Sequence, residues 1–147
     1  MRGLRWINLP EAERNEFLGN GGTGVLAFGT GPDESPTAFP VSYGYAAEAE
    51  RFYFRLSFSS GTSKEDVIDN PVTLTVYDET DEGWRSVVAS GPLEPLSDLP
   101  EESIEVQQMW AVTIPTIDIF DRPRDEIPFQ DFCLDPKAIT GRKSVPD

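Results

Sequence analysis

At 147 residues, with 38% hydrophobic and 11% aromatic side chains, the chain has the make-up of one globular domain rather than a disordered segment. Twenty-six acidic residues against twelve basic ones give a net charge of −14, which repels nucleic acid and anionic lipid, and no apolar run approaches the roughly 18 residues a membrane span needs. With no histidine and a single cysteine, Cys133, the chain has no means of building a His-based triad, a His or Cys-rich metal site, or an internal disulfide.

The opening MRGLRWINLP lacks a signal-peptide core, so a cytoplasmic location is expected. From about Pro10 to Leu18 a helix is predicted: Pro10 suits a first-turn position, acids follow it, and Gly19 suits the C-cap. Strands follow at Thr23 to Phe28 and Thr37 to Ala46, separated by the turn Thr30–Pro36. A turn at Glu48–Glu50 leads into a strand from about Arg51 to Phe58. After a short helix over Ser63–Asn70, Pro71 restarts the chain into a strand from Val72 to Tyr77. The acidic turn Asp78–Gly83 joins it to a long strand from Trp84 through Leu93. Ile104, Gln108, Met109 and Trp110 fit a helix over about Glu101 to Val112, and a last strand lies near Phe129 to Leu134. Six strands with turns at short intervals and three peripheral helices predict a mainly β, six-stranded antiparallel barrel, a single domain over residues 1–147.

The stretch FYFRLSFSSGTSK, Phe52 to Lys64, carries the chemistry. Phe52, Phe54, Leu56 and Phe58 alternate with Tyr53, Arg55 and Ser57, as on a half-buried strand, and the turn after it ends at Ser63-Lys64 where a helix starts. A helix N-terminus presents unpaired N–H groups and the positive end of a dipole. Gly61 permits close backbone approach, Thr62 and Ser63 add hydroxyl donors, and Lys64 and Arg55 add charge. The pattern suits a phosphate monoester; a capped helix with solvated charges is the plainer alternative. Without histidine, a bound cofactor is the economical source of any chemistry.

Other polar residues are weaker candidates. Tyr43 and Tyr45 share one strand face and fit a core role better than a ring-stacking one. Trp110 fits the core or a subunit interface. Asp118 and Asp121 form a carboxylate pair that nothing positions, and Arg122 and Arg124 flank Pro123, from where they could reach a neighbouring subunit. The acidic runs sit in turns and read as solvated surface, not a metal site. With only three lysines, such a surface suits adaptation to high salt, where repulsion is screened.

In order and spacing, TGVLAF, FPVSYGY, FYFRLSFSSGTSKEDVIDNPVTLTV, WRSVVASGPLEPL and FCLDPKAITGRK resemble the pyridoxamine 5′-phosphate oxidase-like family of FMN-binding split-barrel proteins. The resemblance implies a homodimer with FMN in grooves between the subunits. It implies a phosphate site made by Arg55, Thr62, Ser63 and Lys64, and a ring site lined by Val41, Ser42, Tyr43, Leu56 and Ser57. Trp84, Arg85 and Ser86 begin a strand that approaches the cofactor in relatives. The basic, histidine-bearing C-terminal segment of the vitamin B6-forming oxidases has no counterpart here, so that activity does not transfer. What remains is an FMN-dependent oxidoreductase acting on a small-molecule substrate or electron donor, a non-catalytic FMN-storing or sensing protein, or a deazaflavin-dependent reductase. A deazaflavin's longer acidic tail would demand a larger basic groove than twelve basic residues readily make, and the lack of histidine counts against haem degradation.

Overall fold

The period-two alternation read along the chain is realised as one antiparallel sheet, seen in a computed structural model that describes residues 4–57, 70–115 and 129–146. Nine strands, β1 Leu4–Asn8, β2 Gly21–Phe28, β3 Thr37–Ala46, β4 Arg51–Leu56, β5 Val72–Thr80, β6 Gly83–Gly91, β7 Leu93–Pro95, β8 Gln130–Leu134 and β9 Ala138–Pro146, line up as β1-β9-β6-β5-β2-β3-β4-β8-β7. The sheet curls around one apolar core into a split barrel whose end strands do not pair with each other. Two helices flank it, α1 Glu11–Leu18 and α2 Ile104–Ala111, together with a 3₁₀ turn at Leu96–Asp98.

Six strands were expected and nine are present among the described residues. The long strand through Leu93 breaks at Pro92 into β6 and β7. β1 and β9 are too short or too polar to announce themselves, and each is held as a strand by its partner: Leu4 to Asn8 pair with Pro146 to Arg142. All but the last residue of the expected helix over 63–70 lies outside the described residues.

Inside the barrel, Leu26, Phe28, Val41, Tyr43, Tyr45, Phe52, Phe54, Leu74, Val87, Phe132 and Leu134 form the main core. Tyr45 and Phe52 lie with ring centroids 4.7 Å apart, and Tyr43 meets Phe52 edge-on at 5.8 Å. The two tyrosines also tie α1 down: Tyr43 Oη donates to the Leu18 carbonyl at 3.1 Å and Tyr45 Oη to Asn15 Oδ1 at 2.7 Å. Arg14, on the same helix, donates to Glu50 Oε1 at 2.6 Å in the β3–β4 turn.

β4 departs from the half-buried pattern. Tyr53, expected to point to solvent, is wholly buried in a second cluster with Leu96, Met109 and Cys133, because α2 and the 3₁₀ turn cover that side of the sheet. Its hydroxyl donates to Gln108 Oε1 at 2.6 Å. Trp110 is the converse. Expected in a core or interface, it is 79% exposed, because Val106 and Met109 turn inward instead.

Candidate functional site

The chain from Val112 to Ile114, just after α2, crosses the outer face of β2 and β3. Two glycines make the crossing possible. A Cβ at Gly44 would lie 2.5 Å from Val112 Cγ2, and one at Gly21 would collide with the Thr113 carbonyl oxygen. Gly21 and Gly44 are register partners, so the crossing chain lies in a trough of missing side chains.

One step along, the next outward pair is Thr23 and Ser42. The Ser42 hydroxyl is shielded from solvent yet has no hydrogen-bond partner among the described residues. A buried hydroxyl left unpaired costs about 1–3 kcal/mol, so it marks a position suited to a ligand's polar atom.

On the neighbouring strand, Arg55 and Ser57 face outward on the same side as Ser42 by the two-residue alternation, since Gly44 and Tyr53 are paired. Arg55 is exposed and Ser57 half-buried. Across β8, Arg55 Nε donates to Asp131 Oδ1 at 2.8 Å and Nη2 to Oδ2 at 3.4 Å. The hydrogen bond to Asp131 holds the guanidinium in its charged form, raising its pKa. Nη1 makes no hydrogen bond to a described residue. The pair also walls a cleft of about 470 Å³ whose apolar side is Leu96, Leu99, Met109 and Trp110.

The remaining expected residues divide four ways. Val41, Tyr43 and Leu56 are buried, with their side chains in the barrel core. Trp84 and Ser86 face outward on β6, which two strands, β5 and β2, separate from β3. Arg85 turns inward, buried and engaged with Glu82 at 3.2 Å and with the Trp84 carbonyl at 3.2 Å. Thr62, Ser63 and Lys64 lie outside the described residues, as do Asp118, Asp121, Arg122 and Arg124. Sequence reading passed over Thr23 and Asp131. Asp131's outward position beside inward Phe132 was a legible signal, but its pairing with Arg55 depends on β4 lying against β8.

Cys133, the one thiol, lies on this side of the sheet as the register partner of Tyr53, but it is buried with Leu96 and Met109. Burial pushes its pKa up to about 12, so it is a structural side chain and not a nucleophile.

No helix among the described residues is long and apolar enough to cross a membrane. Compared with known proteins, residues 10–143 match the family model described as pyridoxamine 5′-phosphate oxidase. No curated protein matches. Among solved structures, an FAD-binding protein from Mesorhizobium loti superposes with a TM-score of 0.65 at 22% identity, over 97% of this chain and 99% of that one. The FAD-binding protein from Mycobacterium smegmatis superposes with a TM-score of 0.64 at 18% identity, over 94% and 98%. An FAD- and haem-binding protein from the same organism gives 0.56 at 16% identity, over 97% and 75%.

Proposed function

Since the chain belongs to the pyridoxamine 5′-phosphate oxidase family, we propose that it is a cytoplasmic flavin-binding protein, that the flavin is FMN, and that it works as an FMN-dependent oxidoreductase. The observation that carries the reading is the solvent-shielded hydroxyl of Ser42, without a partner among the described residues, on the same outer face as Arg55 and Ser57. These residues fit a flavin: a hydroxyl for a polar edge of the ring, and a fixed cation for the phosphate.

In this reading Ser42 and Ser57 orient the ring against the outer face of β3 and β4, with the backbone at Val41, Tyr43 and Leu56 lying beneath it. Asp131 locks the Arg55 fork and leaves Nη1 for a phosphate oxygen, and Thr62, Ser63 and Lys64 supply further donors. A bound flavin supplies hydride or electron transfer, and the protein contributes binding, orientation and exclusion of water. The cleft beside Arg55 is the space for a small-molecule substrate or electron donor. Trp84 and Ser86 reach the cofactor from the other copy of a homodimer, since two strands separate β6 from β3 within one chain.

The test is an absorption spectrum of the protein purified in concentrated salt, with mass analysis of what heat or acid releases. A flavin spectrum with FMN released is expected, and release of FAD would correct the cofactor. A colourless protein that takes up no added flavin would overturn the reading. Turnover of a reduced nicotinamide by the loaded protein above the rate of free FMN separates an enzyme from a storage or sensing module.

A further inference from the structure

β1 lies outside the stretch matched by the family model, which begins at residue 10, and the last residues of β9 fall beyond its end at 143. β1 pairs with the end of β9, Leu4 to Asn8 against Pro146 to Arg142, and widens the sheet by one strand beyond β9, which itself pairs with β6. By alternation Trp6 stands on the outward face, because Ile7, Lys143 and Arg85 share a row on the inward side, where Lys143 Nζ meets Glu13 Oε1 of α1 at 3.0 Å.

That outward face is unlike the rest of the surface. Trp6 is 49% exposed, Tyr77 64% and Val88 38%, with Trp84 half-buried beside Tyr77 at a centroid distance of 6.4 Å. In a chain of net charge −14, the outward positions of β5, β6, β9 and β1 carry only two charged side chains, Glu79 and Arg142. They are opposite in sign, so a two-fold packing of this face on itself can set Arg142 of one copy against Glu79 of the other. Aromatic enrichment with depletion of charge is the composition of an interface core, and exposed Trp and Tyr are its usual anchors.

We infer that Trp6, carried by the N-terminal strand, is an anchor of the homodimer interface, so that the terminal extension completes the surface on which a second copy docks. This rests on the homodimer proposed above and adds to it a residue that the family's matched region does not contain. The same face holds Trp84 and Ser86, which places the anchor on the sheet that would present these residues to the partner's flavin.

Sedimentation of the full-length protein across a concentration series in high salt tests this, with circular dichroism confirming that each variant folds. Wild type is expected to be dimeric, and Trp6→Ala is expected to raise the dimer dissociation constant about tenfold or more. Trp110→Ala, which removes a still more exposed tryptophan from α2, should leave it unchanged. A wild-type dimer that Trp6→Ala does not weaken would overturn the role of Trp6 and leave the homodimer standing. Equal weakening by Trp110→Ala would overturn the choice of face. A wild type that stays monomeric throughout would overturn the homodimer itself.

Discussion

Arg55 and Asp131 form a two-point ion pair across neighbouring strands, with Nε to Oδ1 at 2.8 Å and Nη2 to Oδ2 at 3.4 Å, on opposite members of one register pair of β4 and β8. Arg55 is exposed, so the pair adds little to stability, about 0.2–1 kcal/mol at most. Its consequence is orientation: the fork is fixed and one nitrogen is left over. Arg55→Ala should weaken FMN binding about tenfold or more, while Asp131→Asn should leave affinity at or above wild type with a small change in melting temperature. Flavin fluorescence titration reads both; wild-type affinity in Arg55→Ala would remove the phosphate role from this residue.

Lys64 follows Gly-Thr-Ser at the predicted start of a helix and is one of three lysines in the chain. Lys64→Ala removes a charge-assisted phosphate contact worth about 1.5–3 kcal/mol, so the same titration should show roughly a ten- to hundredfold loss of FMN affinity. Riboflavin, which lacks the phosphate, should bind the variant and the wild type alike. An equal loss for both ligands would mean that the substitution disturbs the fold and not the phosphate contact.

Gly44 matters for space. A methyl group there meets Val112 Cγ2 at 2.5 Å and Cβ at 2.9 Å, both on the crossing chain. Gly44→Ala should destabilise by about 1–3 kcal/mol, the usual cost of overfilling a packed site. It should also weaken flavin binding, because the crossing chain borders Ser42. Calorimetry and titration on the same sample check the two together; a melting temperature equal to wild type would show that the crossing chain yields freely.

Two buried acids set an alkaline limit. Burial raises Tyr43 from the usual 10.0 to about 12 and Cys133 from 9.0 to about 12. Both are neutral when buried and ionise more readily once unfolded. Their contribution is therefore intact below about pH 9 and is lost as pH climbs towards 12. Denaturant midpoints should be level with respect to these groups at neutral pH and fall above about pH 9. In the native protein at pH 8, Cys133 should resist alkylation that proceeds readily in denaturant; rapid labelling of folded protein would show that the α2 cover opens.

Periodicity and composition were enough to determine the mainly β architecture, the helix α1 with its end at Gly19, the buried state of Tyr43 and Tyr45, and the place of Arg55 on the outward side of β4. These are local properties: alternation sets which face a side chain takes, and capping chemistry sets where a helix stops. The short strands β1 and β7 and the polar strand β9 were not legible, because their pairing comes from partners distant in sequence. Nor was the burial of Tyr53, which α2 covers from about fifty residues away. The candidate site divides along the same line. Its residue types could be read from the chain. That Asp131 holds Arg55, that the Ser42 hydroxyl has no partner among the described residues, and that Trp6 joins Tyr77 and Trp84 on one face were decided by strand order and register. Those relationships join segments that only the folded sheet brings side by side.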